Sequence, residues 1–255
     1  MAGPELRSAL VERNARASAT GAPSDRHGRG LRLVVGLLAL GAAVAYSVWL
    51  LEVVLPTNLS PLASFVSEHY VVSQPYQRLF RSADVIAGVL YLAAAVALGY
   101  LLPRSWPSMG VALGLGVFGA TTITDAVFVP DCVATVDSAC ERREFTGHVS
   151  WQHLLHLGSS AVSQIAIIAA VLALERLATQ RGTLTDRWLA RVILAVLVIA
   201  GLGCVAFYQV GWVGIPQRVQ LIAITCATVA GAARVVSSGH ADPGAHHGRS
   251  PSGCS

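Results

Sequence analysis

The chain contains no lysine, and it has little charge of either sign. All 18 basic residues are arginine, only 13% of the 255 residues are charged, and 54% are hydrophobic. A soluble domain usually carries about 25% charged residues. The composition therefore excludes a disordered chain, argues against a soluble globular enzyme, and indicates an integral membrane protein.

Motifs for nucleotides and nucleic acids are also missing. The sequence has no P-loop and no G-x-G-x-x-G after a strand pattern. No run of basic and aromatic residues favours a nucleic-acid partner. We therefore expect the protein to have the lipid bilayer as a partner and to bind no nucleic acid.

Six apolar runs follow one another along the chain, each near the ~20 residues that a helix needs to cross a bilayer. They are Leu31–Leu55, Ala83–Leu102, Met109–Phe128, Ser150–Leu174, Leu189–Tyr208 and Gln217–Val236. In lipid each backbone N–H and C=O must be satisfied within its own segment, so each run should be helical. The sequence predicts an all-α fold, a polytopic transmembrane helical bundle with about six spans.

Both ends of the chain are polar. Residues 1–30 hold five arginines among small residues, and residues 237–255 are rich in glycine, serine and histidine. Neither segment can bury enough apolar surface to offset the entropy of ordering. We predict a disordered basic tail over 1–30 that could rest on anionic lipid headgroups. A six-helix transmembrane domain over 31–236 and a second disordered tail over 237–255 would follow.

The arginines predict the orientation of the bundle. With the N-terminus inside, 13 of the 18 arginines fall on the cytoplasmic side, as the positive-inside rule requires. We expect a multi-pass protein of the inner (plasma) membrane with both termini in the cytoplasm. One alternative stays open, because the basic leader and Ala43-Val44-Ala45 resemble a cleavable signal peptide.

Two cysteines lie close together in the third loop. Cys132 and Cys140 form a C-x₇-C pair on the predicted outer side, where oxidation is permitted. Such a pair, with no second pair beside it, is a poor zinc signature. We predict that the two cysteines form a disulfide bond.

Polar and ionisable groups gather at the predicted outer ends of the spans. They are Glu52, Asp84, Asp125, His153, His156, Gln209 and Arg218. Ionisable groups are costly in a bilayer and usually face the interior of a bundle or a water-filled cavity. The sequence predicts a polar chamber in the outer half of the membrane.

The fourth span carries the strongest pattern. His153, His156 and Ser160 are spaced i, i+3, i+7 and share one helix face. The two imidazoles could bind a divalent metal such as zinc, with Asp84 and Asp125 completing the site. A bound water, Ser160 or Asp125 would then act in hydrolysis. The alternative is an interhelical hydrogen-bond network that only fixes packing.

Other polar and aromatic residues have local interpretations. Arg81 and Asp84 could form an ion pair at the start of the second span, facing Asp125 or Glu52, or Arg81 could hold an anionic headgroup. His69 and His148 are expected at the surface. Eight aromatic residues near the predicted interfaces suggest an aromatic belt. They are Tyr46, Trp49, Tyr70, Trp106, Trp151, Trp188, Tyr208 and Trp212.

Several motifs match a known family when taken together. The run from Gln74 to Asp84 reads QPYQRLFRSAD, and Asp131-Cys132, Cys140 and Ser150-Trp151-Gln152-His153 follow it. This pattern resembles the bacterial membrane protein family called "domain of unknown function 998", over roughly 48–174 and more weakly beyond. The resemblance implies a helical inner-membrane protein with about six spans, no established activity and no catalytic residue to carry over.

Three functions of different classes remain. The first is a binding or regulatory membrane protein with a lipid or a partner protein as ligand. The second is a metal-assisted hydrolase, embedded in the membrane, that acts on a lipid or amphiphile. The third is a small-solute transporter, which is less favoured because the two halves show no convincing internal repeat. The sequence does not indicate an oligomeric state.

Overall fold

A computed structural model describes residues 23–238, and this part of the chain is helical with no strand. Its α-helices are α1 (Pro23–Tyr46), α2 (Gln77–Leu101), α3 (Trp106–Val127), α4 (Ser138–Phe145), α5 (Trp151–Gln180), α6 (Leu184–Tyr208) and α7 (Gly214–Ser237). Two short 3₁₀ helices, Val48–Val53 and Val66–Tyr70, lie between α1 and α2. Most of both predicted tails, residues 1–22 and 239–255, lies outside the described residues.

Six helices are long and apolar enough to cross a membrane, which confirms the predicted all-α bundle of six spans. They are α1 extended through the first 3₁₀ helix, α2, α3, α5, α6 and α7. The first span is not one continuous α-helix, because α1 ends at Tyr46 and the chain tightens into the 3₁₀ helix. Ser47 accompanies this change, since its hydroxyl donates to the carbonyl of Ala43 at 2.7 Å.

Several helices extend beyond the apolar runs that predicted them. α2 begins at Gln77, six residues before the predicted start, and α5 continues to Gln180. These extra turns are polar, so hydropathy marks only the middle of each helix. The eight-residue α4 was not predicted at all. Asp137 caps its N-terminus, since the Asp137 carboxylate accepts a hydrogen bond of 2.8 Å from the N–H of Ala139.

The six spans form a closed ring. Along the chain α1 packs on α2, α2 on α3, α3 on α5, α5 on α6 and α6 on α7, and α7 returns to α1. Helices α2 and α3 approach most closely at Gly88 and Gly119. A Cβ atom on Gly88 would lie 2.6 Å from the carbonyl oxygen of Gly119. Small residues thus allow close contact between these two backbones.

The two ends of the ring differ in structure. One end, here called the terminal face, carries the two ends of the described chain and the short α2–α3 and α5–α6 turns. The other end, here called the loop face, carries both 3₁₀ helices, α4 and the longer loops. Between them the centre of the ring is filled by Tyr46, Tyr91 and Phe118, whose rings meet edge to face at 5.1–6.1 Å.

Candidate functional site

Two carboxylates from neighbouring helices lie near the loop face. Asp84 of α2 accepts a hydrogen bond from the hydroxyl of Tyr70, which stands on the second 3₁₀ helix. Asp125, near the end of α3, accepts hydrogen bonds from two adjacent serines of α5. Ser159 donates to one oxygen, and Ser160 donates to the other at 3.0 Å. Both carboxylates are partly buried.

His156 joins these groups from α5. Its Nδ1 atom lies 3.1 Å from the carbonyl oxygens of Asp125 and Phe128, so Nδ1 carries the proton that is donated to them. The same atom lies 3.9 Å from the Asp125 carboxylate, and the ring meets Tyr70 edge on at 6.2 Å. We call this set the acid cluster. Its members are Tyr70, Asp84, Asp125, His156, Ser159 and Ser160.

Tyr70 acts as a hydrogen-bond donor in the acid cluster. Burial raises the pKa of Tyr70 well above its ordinary value, and the negative charges of Asp84 and Asp125 raise it further. The phenol therefore keeps its proton and donates a hydrogen bond to Asp84. Because Tyr70 belongs to a loop, this bond also fastens the loop face to α2.

The two carboxylates of the acid cluster differ from the other carboxylates of the spans because they have no arginine partner within the described part of the chain. The others are paired as Glu52 with Arg218, Glu175 with Arg191, and Asp186 with Arg234, at 2.6, 2.9 and 2.7 Å. Among the side chains that the structure describes, no arginine lies within ion-pair distance of Asp84 or Asp125. Hydroxyl groups and one imidazole surround these two carboxylates instead.

An aromatic layer closes the acid cluster on its inner side. Tyr91 lies seven residues beyond Asp84 on α2, and Phe118 lies seven residues before Asp125 on α3, each about 10 Å deeper in the bundle. Both rings are fully buried and contact each other and Tyr46. We call the rings of Tyr46, Tyr91 and Phe118 the aromatic floor, because they separate the acid cluster from the half of the bundle nearest the terminal face.

A second polar cluster at the loop face is built on an ion pair. The Glu52 carboxylate contacts both Arg218 and His69, and the His69 ring stacks on Phe80 at 4.8 Å. His69 is only 1% exposed, so the prediction of a surface histidine was wrong. The sequence places His69 in a polar loop, and only the folding of that loop onto α2 buries it.

A third cluster links the two loops of the loop face. The Glu68 carboxylate accepts hydrogen bonds from the backbone N–H of Phe65 and Thr135, at 3.0 and 2.9 Å, and from the Thr135 hydroxyl. Burial raises the pKa of Glu68, and these hydrogen bonds only partly oppose that effect. The loop that carries Thr135 is closed by the Cys132–Cys140 disulfide, which confirms the predicted bond.

The structure separates the two histidines of the predicted metal set. His153 contacts Glu144 through Nε2 at 3.1 Å, and its Nδ1 accepts from the N–H of Asp131 at 3.3 Å. It therefore faces α4 and the disulfide loop, whereas His156 faces Asp125. Within residues 23–238, no group of three or more histidine, cysteine or acidic side chains is arranged to hold a metal ion.

Arg81 does not form the ion pair that was one of its two predicted roles. Its guanidinium donates to the carbonyl of Ala126 at 2.8 Å and to the side chain of Gln77 at 3.2 Å. The described residues contain no ion pair of Arg81 with Asp84 or Glu52. Asp84 accepts a hydrogen bond from Tyr70, and Glu52 pairs with Arg218. Arg81 thus ties the start of α2 to the end of α3.

Sequence reasoning missed two members of the acid cluster. Ser159 lies three residues after His156, so helical spacing could have placed it on the same face. Tyr70 was assigned to an aromatic belt, yet it is 4% exposed. Tyr46 and Trp49, assigned to the same belt, are also buried. No local signal separates these three from interfacial aromatics.

The acid cluster lies wholly within the part of the chain that resembles other proteins of one family. No curated protein and no solved structure matches the chain. The family described as "Protein of unknown function (DUF998)" matches residues 39–234, which extend from the middle of α1 to the last turns of α7. The chain therefore belongs to this family of integral membrane proteins of unknown function.

Proposed function

We propose that the protein is a membrane-embedded binding protein whose acid cluster takes the ammonium group of an amine-bearing ligand. The observation that carries this proposal is that Asp84 and Asp125 have no arginine partner, unlike Glu52, Glu175 and Asp186. Ionisable groups within a span are expensive and usually mark a functional site. A ligand with a positive charge would offset this cost.

The chemistry of the acid cluster suits an ammonium group. Each carboxylate has two oxygens with about four acceptor positions, and an ammonium offers three donors. Ser159 and Ser160 together use one position on each oxygen of Asp125, and Tyr70 uses one on Asp84. Acceptor positions are therefore left for a ligand on both side chains.

The same geometry favours binding over the two alternatives. For hydrolysis with histidine as the base, a serine nucleophile needs a hydrogen bond to the imidazole, but Ser159 and Ser160 both donate to the carboxylate of Asp125 and neither donates to the ring of His156. A metal-assisted route would need His153 beside His156, and His153 faces Glu144. For transport, the ligand would have to pass the aromatic floor.

The test is calorimetric titration of the purified chain, in a non-ionic detergent, with dodecylamine, dodecanol and butylamine. We expect dodecylamine to bind the wild type and to bind the Asp84→Asn/Asp125→Asn variant at least roughly tenfold more weakly, about 1.4 kcal/mol. Asp186→Asn is the control, because Asp186 is a span carboxylate paired with Arg234 on the terminal face.

Butylamine and dodecanol show which kind of ligand carries the ammonium group, a free amine or an amphiphile. Binding of butylamine as well as dodecylamine would indicate a free amine, and binding of dodecylamine alone would indicate an amphiphile. Equal binding of dodecanol, or unchanged dodecylamine binding in the double variant, would overturn the proposal. Melting temperatures of all variants show whether the fold survives.

In this proposal the protein lies in the plasma membrane, and its loop face is on the side away from the cytoplasm. Among residues 28–238, eight arginines lie at the terminal face and five at the loop face, and the disulfide belongs to an oxidising compartment. Val136 and Leu184 are 68% and 69% exposed at opposite faces. In a background without Cys204, Cys226 and Cys254, an impermeant maleimide should label Val136→Cys in intact cells and Leu184→Cys only after permeabilisation. The reverse result would invert the orientation.

A further inference from the structure

A groove runs between α2 and α3 over the half of the bundle nearest the terminal face. Its volume is about 470 Å³, and its walls are almost entirely apolar. Small residues such as Ala95, Gly99 and Gly116 line it, so the groove lies close to the two backbones. We call it the α2–α3 groove.

One charged side chain stands at the end of the α2–α3 groove. Arg104 lines it from the short turn between the two helices and is exposed. Two other arginines at this face have close acidic partners, since Arg191 contacts Glu175 and Arg234 contacts Asp186. Within the described residues Arg104 has no acidic partner, so its guanidinium is free for a ligand.

The length of the α2–α3 groove corresponds to one leaflet of a bilayer. Its lining on α3 extends from Ser108 to Ala120, a separation of twelve residues or about 18 Å. Half of the hydrocarbon core is about 15 Å thick. An acyl chain that begins at the level of Arg104 would therefore reach the far end of the groove.

We infer that the α2–α3 groove binds one anionic glycerophospholipid from the leaflet at the terminal face. An acyl chain lies against the small residues of the groove, and the phosphate contacts Arg104. A planar guanidinium with several N–H donors suits a phosphate group. This site is separate from the acid cluster, which lies at the loop face, and it does not depend on the proposed function.

Gly99 offers a way to fill the α2–α3 groove without disturbing the bundle. A Cβ atom at Gly99 would meet no atom within 4 Å, so Gly99→Leu places its side chain in open space within the groove. Gly231 of α7 is equally open and does not line this groove. Gly231→Leu is therefore a matched control. Arg181, exposed in the α5–α6 turn, provides the control for Arg104.

The experiment is native mass spectrometry of the full chain in a maltoside detergent, with phosphatidylglycerol and phosphatidylcholine of identical acyl chains. We expect one tightly bound phosphatidylglycerol per chain. Arg104→Gln and Gly99→Leu should each weaken its binding roughly tenfold, a difference of about 1.4 kcal/mol. Arg181→Gln and Gly231→Leu should leave it unchanged.

Three outcomes would overturn the inference. Equal binding of both lipids, with no effect of either variant, would mean that no specific lipid occupies the groove. A loss with Arg104→Gln but not with Gly99→Leu would mean that only surface charge attracts the lipid. A dimer that Gly99→Leu dissociates would mean that a second copy of the chain covers the groove. Melting temperatures identify any variant that fails to fold.

Discussion

Glu52 and Arg218 form a two-pronged ion pair although 166 residues separate them along the chain. The Nε and Nη2 atoms of Arg218 each donate to one carboxylate oxygen of Glu52 at 2.6 Å. A third nitrogen, Nη1, donates to the backbone carbonyls of Ser64 and Gly214 at 2.9 and 3.0 Å. This one guanidinium therefore connects the end of the first span, the following loop and the start of α7.

Removal of either partner of this pair should destabilise the protein strongly. The Glu52 side chain is 2% exposed and that of Arg218 is 12% exposed, so a single substitution leaves a buried charge without compensation. We expect Glu52→Gln or Arg218→Gln to lower the free energy of unfolding by on the order of 3 kcal/mol. Denaturant unfolding in detergent micelles measures this change.

Arg234→Gln is the matched comparison for the buried pair. Arg234 also pairs with a carboxylate, Asp186, but its side chain is 58% exposed. Its loss should therefore cost less than about 1 kcal/mol. Similar losses in the Arg218→Gln and Arg234→Gln variants would contradict the importance assigned to burial.

The Cys132–Cys140 disulfide should stabilise the loop face by restricting the unfolded chain. Closure of a loop of about nine residues corresponds to about 2–3 kcal/mol in the chain-entropy account. We expect the reductant TCEP to lower the melting temperature of the wild type and to leave a Cys132→Ser/Cys140→Ser variant unaffected. An equal shift in both proteins would assign the effect to the reductant and not to this bond.

Asp131 should make stability depend on pH at the loop face. Burial alone would raise its pKa, but two hydrogen bonds from Ser150, helped by His153 and Arg143, outweigh this effect and lower it. A lowered pKa stabilises the folded state above the ordinary aspartate pKa of about 3.9, and this contribution is lost as the pH falls through the folded-state pKa. Asp131→Asn should therefore be less stable than the wild type at pH 7.

The difference in stability between the wild type and Asp131→Asn should shrink as the pH is lowered below about 4. Thermal unfolding at a series of pH values between 7 and 3 measures it. A gap that stays constant over this range would show that the hydrogen bonds of Asp131 do not depend on its charge.

Gly119 should tolerate substitution much less well than its neighbour Gly116. A Cβ atom at Gly119 would lie 2.7 Å from the carbonyl oxygen of Gly88 and 3.0 Å from the nitrogen of Leu92. At Gly116 the nearest atom would be 3.5 Å away, an ordinary contact. We expect Gly119→Ala to cost about 1–3 kcal/mol by forcing α2 and α3 apart. Gly116→Ala should be nearly neutral, and equal melting temperatures would contradict this contrast.

The six spans could be predicted because each depends on a local property. A run of about 20 apolar residues can only be a helix in lipid, whatever the rest of the chain does. The helix ends were less predictable, since the polar turns at the start of α2 and the end of α5 carry no hydropathy signal. The disulfide was also predictable, because Cys132 and Cys140 are close in sequence.

The sequence predicted at which end of the bundle the polar groups gather, but not which partner each of them contacts. Position along each span placed Asp84, Asp125 and His156 at one end of the bundle, and all three belong to the acid cluster. Their partners depend on the rotation of each helix and on how the loops fold back. His153 turns to Glu144 for this reason, and Tyr70 reaches Asp84 only because its loop covers the ring.

The pairing of Glu52 with Arg218 has a consequence for biosynthesis. Glu52 belongs to the first span and Arg218 to the last, and these two spans meet where α7 packs on α1. Because the chain is made from its N-terminus, the first span enters the membrane long before Arg218 has been translated. A ribosome-bound intermediate with five spans therefore holds the Glu52 carboxylate without its arginine partner. Premature termination before Arg218 would leave Glu52 with His69 as its neighbour and without a guanidinium to neutralise it.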